Sequence, residues 1–146
     1  MPPIRLRIPS TNDAEFVYSV YEATARHLVE GVGRRWAETK MREKAELEVQ
    51  DGFTRIIESD GEDVGFFSLE ETASEFWLHA LFLQPRYQGQ GIGMRLMREA
   101  MAQAEAKRMP IRLQVMTFNP AVAFYERLGF KINREEDRCF FMQSAA

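Results

Sequence analysis

The first third of the chain shows one strand-like and two helix-like patterns of hydrophobic positions. Residues 4–8 alternate apolar and charged side chains with period two, which is typical of a strand. Residues 10–13 are rich in capping side chains, and apolar residues then recur at helical spacing from Phe16 to Leu28. A second helix is predicted over residues 34–50, where small or apolar residues recur at every fourth position. This part of the chain therefore predicts the order β-α-α.

The rest of the chain is richer in strands. The pattern predicts a hairpin with strands 53–58 and 64–69 and an Asp-Gly turn, a strongly apolar strand 76–83, a helix 91–107, a strand 111–116, a short helix 119–128, and two last strands at 130–132 and 138–142. No repeat or linker interrupts this order. We therefore expect one compact domain over residues 1–146, of class α/β (α+β), with helices packed on a mixed sheet.

Composition narrows the class of protein. The chain has 146 residues, of which 45% are hydrophobic and 28% charged, as in ordinary globular domains. The longest apolar stretch, residues 76–83, is far too short to cross a bilayer, and no secretory signal pattern is visible at the start. One cysteine, Cys139, and the lack of a Cys/His cluster offer no metal site. We expect a cytoplasmic protein that needs neither a metal nor a membrane.

The charge distribution says more about partners than the total charge does. The net charge is −3, which argues against nucleic acid as the main partner. The acidic residues of the middle segment have no Lys or Arg among them, and they are Glu58, Asp60, Glu62, Asp63, Glu70, Glu71 and Glu75. The balance reverses between residues 86 and 112. This pattern is compatible with an anion-attracting region beside a cation-attracting one, and equally with scattered solvated faces.

A glycine-rich segment between the apolar strand and the next helix is the first candidate for chemistry. It reads Gln88-Gly89-Gln90-Gly91-Ile92-Gly93. Glycines permit sharp bends and close backbone approach, and the N-terminus of a helix favours an anion such as phosphate. A tight turn without a ligand explains the glycines equally well. The spacing meets neither the dinucleotide fingerprint nor the nucleoside triphosphate P-loop, so both common nucleotide interpretations fail.

Two segments together resemble one known family. The segment from Pro85 to Gly93 resembles the acetyl-CoA pyrophosphate loop of the GNAT superfamily of N-acetyltransferases, and the segment from Asn119 to Phe130 resembles its second signature, an Asn before a helix that carries a Tyr and ends in Gly-Phe. Their order and spacing also match the family. The resemblance implies a mostly antiparallel, mixed sheet of about seven strands flanked by about four helices.

The resemblance implies a set of cofactor contacts. The acetyl-CoA pyrophosphate would lie on the backbone amides of the loop and the first helical turn, which are those of Gln88, Gly89, Gln90, Gly91, Ile92, Gly93, Met94 and Arg95. The pantetheine arm would pair with the strand end formed by Leu81, Phe82 and Leu83, as in strand addition. Asn119 would contact the cofactor and also begin its helix. No metal is implied.

The same resemblance implies the catalytic groups, and two departures from the family pattern bear on the general base. Tyr125 would protonate or stabilise the departing thiolate. Some relatives place a general-base Glu where this chain has Trp77, and others where it has Gln114. His79, two residues from Trp77 on the same strand, is therefore our first candidate for the base. The alternatives are Glu70, Glu71 and Glu75.

These inferences predict an acetyl-CoA-dependent N-acetyltransferase that uses direct transfer in a ternary complex. The acceptor would be a primary amine, and the acidic middle segment favours a cationic one. The missing family carboxylates leave one alternative from another class, a non-catalytic sensor that binds acyl-CoA on the same fold. Transfer of a different acyl group also stays open. Dimers are common in the family, so the resemblance leaves a homodimer open.

Overall fold

The computed structural model describes residues 3–144, which contain seven strands and four α-helices. The strands are β1 (Ile4–Arg7), β2 (Thr54–Ser59), β3 (Glu62–Glu71), β4 (Phe76–Leu83), β5 (Ile111–Met116), β6 (Lys131–Glu136) and β7 (Cys139–Gln143). The α-helices are α1 (Ala14–Gly31), α2 (Glu38–Glu48), α3 (Ile92–Ala106) and α4 (Ala121–Arg127), and short 3₁₀ helices cover Thr11–Asp13 and Pro85–Tyr87.

The strands form one sheet in the order β1-β2-β3-β4-β5-β7-β6. The β1–β2, β2–β3, β5–β7 and β6–β7 pairs are antiparallel. The β4–β5 pair is parallel, with a register that runs from Phe76 opposite Ile111 to Leu78 opposite Leu113. A parallel neighbour requires a crossover, which α3 supplies. The prediction of a mixed, mostly antiparallel sheet of about seven strands with four helices is confirmed.

The described residues divide into two compact units. The first unit comprises the residues up to Ser68 together with Ala80–Gly93. Its core joins the inner face of α1 to the sheet, and it consists of Val17, Tyr18, Val20, Tyr21, Trp36, Ala45, Ile56, Phe66 and Ala80. Most of these α1 positions lie three or four residues apart, as the helical pattern of the sequence predicts.

The second unit comprises Leu69–His79 together with the described residues from Met94 onward. Its buried apolar side chains come from α3, from the two parallel strands and from the last hairpin, and they include Phe76, Leu78, Leu96, Met97, Ala100, Ile111, Leu113, Phe130 and Met142. The Ser144 hydroxyl accepts a hydrogen bond from the backbone N–H of Ile111 at 2.8 Å. The expected single domain over residues 1–146 stays a prediction.

The Asp60-Gly61 turn shows how closely local chemistry can predict a turn. Both residues have positive φ, at 54° and 79°. This is the conformation that a two-residue hairpin requires, and Asp-Gly is a preferred pair for it. The predicted hairpin and its turn are therefore confirmed.

Two predicted boundaries differ most from the structure. Helix α2 begins at Glu38 and not near residue 34, because Trp36 is buried ahead of it and donates its indole N–H to the Tyr18 hydroxyl at 3.1 Å. Strand β6 extends to Glu136, well past the predicted residue 132. All six β6 residues are exposed, so the hydrophobic pattern carries no signal for them.

No helix within residues 3–144 has both the length and the apolar character needed to cross a bilayer. The same residues contain no group of three or more His, Cys, Asp or Glu side chains placed to hold a metal ion.

Candidate active site

The glycine-rich loop adopts a backbone conformation that side chains disfavour. Gly89 and Gly91 have φ values of 76° and 84°, in the left-handed region. Helix α3 begins directly afterwards at Ile92, whose side chain is buried. The first four N–H groups of a helix have no partner within it, and they carry the positive end of the helix dipole. The loop and the first turn of α3 therefore have the backbone geometry that a phosphate group requires.

Side-chain amides fix this loop to the chain that precedes it. The Gln88 Nε2 group donates to the Leu83 carbonyl at 2.9 Å, and the Gln90 Nε2 group donates to the Arg86 carbonyl at 3.1 Å. Arg86 and the Tyr87 hydroxyl both contact the Glu62 carboxylate. The structure thus brings Gln88 next to the end of β4, where Leu81, Phe82 and Leu83 lie half-buried.

Gly65 determines how the end of β4 packs against β3. A Cβ atom at Gly65 would overlap the Phe82 carbonyl oxygen and lie 3.0 Å from the Leu83 Cα atom. Both obstacles are backbone atoms, which cannot rotate away. The backbone N–H of Gln84 also donates to the Val64 carbonyl at 2.8 Å. Our sequence analysis missed Gly65, although a lone glycine inside an apolar strand signals a close backbone approach.

Asn119 begins helix α4 through its side chain. Its Oδ1 atom accepts a hydrogen bond from the Ala121 N–H at 2.9 Å, which satisfies one of the open donors of the first turn. Its Nδ2 group hydrogen-bonds to none of the described residues. The predicted capping role is confirmed, and the amide N–H donors are available for a second contact.

Tyr125 lies on α4 with its ring buried between two other aromatic rings. Its side chain is 7% exposed, and its ring centroid lies 5.2 Å from that of Phe124 and 5.7 Å from that of Phe130. The hydroxyl makes no hydrogen bond to the described residues. Burial raises the pKa of Tyr125 above its usual value of 10. The phenol therefore keeps its proton at neutral pH and can donate it.

The end of α4 is held by a Schellman motif. The Phe130 N–H donates to the Tyr125 carbonyl at 3.1 Å, and the Gly129 N–H donates to the Glu126 carbonyl at 3.0 Å. Gly129 has a φ of 96°. Gly129 is therefore the left-handed cap of α4, and Phe130 after it is buried.

His79 has a carboxylate partner on β3. The His79 Nε2 atom lies 2.9 Å from the Glu70 Oε1 atom, and the pair is exposed. The Trp77 ring centroid lies 6.1 Å from that of His79, which confirms that the two side chains share a face. A carboxylate hydrogen-bonded to one ring nitrogen orients the imidazole, as a general base requires.

The other carboxylates of the acidic segment, except Asp60, form ion pairs with cations. Glu71 lies 2.5 Å from the Lys107 Nζ atom, and Glu75 forms an ion pair with Arg112. In the first unit, Arg7 forms ion pairs with Asp63 at 2.9 Å and with Glu58 at 3.9 Å. These pairs offset part of the negative charge on which the preference for a cationic acceptor was based. Of the three Glu residues considered as alternative general bases, Glu70 is the one that contacts His79.

The predicted site residues fall in both units. Leu81, Phe82, Leu83 and the loop from Gln88 to Gly93 belong to the first unit. His79, Met94, Arg95, Asn119 and Tyr125 belong to the second. Arg95 lies on the first turn of α3 and is exposed, 4.0 Å from Glu99.

Comparisons with known proteins bear on this arrangement. The model of a family described as an acetyltransferase (GNAT) domain matches residues 50–132, which is more than half of the chain. An uncharacterized N-acetyltransferase of Methanocaldococcus jannaschii is 33% identical over 91 residues, covering 56% of this chain and 40% of that protein. The 5-NmdU N-acetyltransferase of Pseudomonas phage PaMx11 is 29% identical over 93 residues, covering 62% of this chain and 66% of that protein. The match thus spans less than two thirds of either relative.

A solved structure matches the whole fold. PaiA N-acetyltransferase from Thermoplasma acidophilum, solved in complex with coenzyme A, superposes with a TM-score of 0.77 at 24% identity, over 99% of each chain. The family match contains the glycine loop and the α4 helix with Tyr125, and the structural match extends the likeness to the remaining elements. The chain therefore belongs to the GNAT superfamily of N-acetyltransferases.

Proposed function

We propose that this protein transfers an acetyl group from acetyl-CoA to a primary amine, directly and without a covalent enzyme intermediate. The Tyr125 hydroxyl, which bonds to no described residue, is the observation that carries the proposal. The ring is buried and fixed by its aromatic neighbours, whereas the hydroxyl is not fully buried and is open to a partner that arrives with the substrate. Simple binding of acyl-CoA needs no proton donor at this position, so Tyr125 favours catalysis over a sensor.

The residues of the glycine loop fit the pyrophosphate of acetyl-CoA. Positive φ at Gly89 and Gly91 turns the backbone ahead of α3, and the first N–H groups of α3 supply donors for phosphate oxygens. Leu81, Phe82 and Leu83 would pair with the amide groups of the pantetheine arm. The Nδ2 group of Asn119 would donate to the cofactor while Oδ1 begins α4. When bound, acetyl-CoA supplies the thioester that the amine attacks.

Proton transfers complete the reaction. Alkyl amines titrate near ~10, so the amine must lose a proton before or during its attack. His79, oriented by Glu70, would accept that proton. Tyr125 would donate its proton to the departing sulfur as the carbon–sulfur bond breaks, and water would then reprotonate the phenolate. One amine and one thioester thus give one amide and one thiol.

Release of coenzyme A thiol from acetyl-CoA, measured against a panel of amines, tests this proposal. The panel includes cationic, neutral and anionic amines, because ion pairs offset part of the charge of the acidic segment. It also includes 5-NmdU, because the phage relative is named a 5-NmdU N-acetyltransferase. We expect amine-dependent thiol release with at least one member. Binding of acetyl-CoA without turnover on any small amine or amine-terminated peptide would favour the sensor.

Calorimetry with coenzyme A tests the loop separately from the chemistry. Gly91→Ala places a side chain at positive φ, and we expect the Kd for coenzyme A to rise about tenfold. Gly33→Ala is the matched control, since Gly33 has a φ of 80° in the α1–α2 connection. It carries a similar strain and should leave the Kd unchanged. Equal Kd values for Gly91→Ala and wild type would contradict the assignment of the loop.

A further inference from the structure

Helix α2 contains a buried carboxylate that no step of the proposed reaction uses. Glu48, its last residue, is 8% exposed. Its Oε1 atom accepts a hydrogen bond from the Tyr21 hydroxyl of α1. Its Oε2 atom is buried and has no hydrogen-bond partner among the described residues. Glu is rarely buried without a charge partner, so its place here needs a reason.

The Tyr21 ring connects this carboxylate to strand β4. Tyr21 is 2% exposed, and its ring centroid lies 5.0 Å from that of Phe66 and 5.2 Å from that of Phe82, both edge-on. The Phe66 and Phe82 centroids are 5.5 Å apart. Three aromatic rings therefore pack together, and the Glu48 hydrogen bond fixes the orientation of the ring that touches both others.

Phe82 belongs to the strand end that we assign to the pantetheine arm. A side chain at Gly65 would overlap the Phe82 backbone carbonyl, so strand β3 packs closely against Phe82. The Tyr21 and Phe66 rings both pack against the Phe82 side chain. Small changes in the Tyr21 ring will therefore move the Phe82 backbone, because packed interiors have little free space.

The charges around Glu48 make its hydrogen bond sensitive to protonation. Desolvation by burial raises the pKa of Glu48 to about 7, against the hydrogen bond from Tyr21 and the nearby Lys44 ammonium, which lower it. Asp51, which follows α2, raises it further. Lys44 also lies 5.6 Å from the Tyr21 ring centroid. Ionised Glu48 accepts a charge-assisted hydrogen bond from Tyr21, and protonated Glu48 accepts a weaker one.

We propose that Glu48 is a positioning residue for acyl-CoA binding, which acts through the Tyr21 hydroxyl on the Phe82 segment of β4. This inference rests on the proposed function, since it assumes that β4 pairs with the pantetheine arm. Glu48 itself touches neither the thioester nor the amine. Its effect is on the affinity for the acyl-CoA and not on the chemical step.

Tyr21→Phe is the first test, because it removes the hydroxyl and keeps the ring. We expect the Kd for coenzyme A and the KM for acetyl-CoA to rise about tenfold, while kcat stays within about twofold of wild type. Tyr18→Phe is the matched control. Tyr18 is also buried on α1 and hydrogen-bonded, to Trp36 and Glu22, but its ring pairs with that of Trp36 and not with that of Phe82. Equal effects of the two substitutions on Kd would overturn the proposal.

A pH series on Glu48→Gln separates positioning from a merely structural role. Glutamine keeps the shape and accepts from Tyr21, as neutral Glu48 does. We expect wild type and Glu48→Gln to bind coenzyme A alike near pH 5.5, and wild type to bind several-fold more tightly above pH 8. A ratio of the two Kd values that stays constant across this range would contradict the proposal.

The double variant Tyr21→Phe/Glu48→Leu keeps the test valid if a single variant folds poorly. Replacing both partners with apolar side chains leaves no orphaned polar group and is often close to neutral for stability. We expect it to fold with wild-type stability and to retain the weakened binding of Tyr21→Phe. Wild-type affinity in this variant would overturn the inference alone, whereas a wild-type protein without affinity for coenzyme A would overturn the proposed function as well.

Discussion

The α1–α2 region and the α4 region each bury a tyrosine, and the two hydroxyl groups have opposite surroundings. Tyr21 is 2% exposed and donates to the buried carboxylate of Glu48. Tyr125 is 7% exposed, and its hydroxyl bonds to no described residue. Burial raises the pKa of both. A hydroxyl that is already bonded can fix a structure, while one without a partner in the protein is available to a substrate.

A substitution that disrupts the packing of β3 against Phe82 has the largest expected effect, a loss of stability. Gly65→Ala places a Cβ atom against the Phe82 carbonyl, which is backbone and cannot turn aside. We expect the free energy of unfolding to fall by more than about 3 kcal/mol in denaturant titrations. Gly31→Ala is the control, since nothing lies within 4 Å of its added Cβ atom. A stability equal to wild type for Gly65→Ala would show that the end of β4 is not held as described.

Substitutions in the His79–Glu70 pair test whether His79 is the general base. If His79 accepts the amine proton, His79→Ala lowers kcat by about 10²-fold, and Glu70→Gln lowers it less, by about tenfold. Glu71→Gln serves as the control, because Glu71 contacts Lys107 and not His79. Steady-state kinetics with one good acceptor gives all three values. An unchanged kcat for His79→Ala would remove His79 from the mechanism.

The raised pKa of Glu48 predicts how stability depends on pH. The folded state holds a proton on Glu48 up to about pH 7, whereas the unfolded chain releases it near 4.5. The folded state thus binds more protons in this range, so its stability falls as pH rises from 5 to 7. We expect Glu48→Gln to lack this decline, with a difference on the order of 2 kcal/mol. Parallel stability curves for the two proteins would contradict the assignment.

The smallest predicted effects come from substitutions that separate the capping role of Asn119 from its proposed contact with the cofactor. Ser at this position keeps a side-chain oxygen for the Ala121 N–H but has no amide to donate. We expect Asn119→Ser to unfold like wild type within about 0.5 kcal/mol and to bind coenzyme A a few-fold more weakly. Asn119→Ala, which loses both, should also lose about 1 kcal/mol of stability. Wild-type affinity in Asn119→Ser would leave Asn119 with the capping role alone.

Local patterns predicted most of the elements. Strand β4, strand β5 and the Asp60-Gly61 hairpin lie where the sequence places them, because alternation and turn chemistry act over a few residues. Strand β6 was cut short because its exposed residues have no hydrophobic pattern. Helix α2 begins late because Trp36 packs against Tyr18, a partner 18 residues away that no local pattern reveals.

The residues of the candidate site also divide into those that local sequence patterns reveal and those that depend on distant partners. The glycine loop and the α4 signature are contiguous segments, so a single sequence shows them. The roles of Gly65 and Glu48 depend on partners distant in the chain, Phe82 and Tyr21. Glu48 lies three residues after the buried Ala45, at the border of the apolar stripe of α2, where sequence alone favours a solvated side chain.

The kinetics of Tyr125→Phe and Tyr21→Phe, measured side by side with acetyl-CoA and one good acceptor, test the central contrast most directly. We predict that Tyr125→Phe lowers kcat by about 10²-fold and leaves the Kd for coenzyme A within about twofold. It should also unfold like wild type, because its hydroxyl bonds to no described residue. Tyr21→Phe should raise KM and spare kcat. A Tyr125→Phe variant that keeps the wild-type kcat would contradict the account.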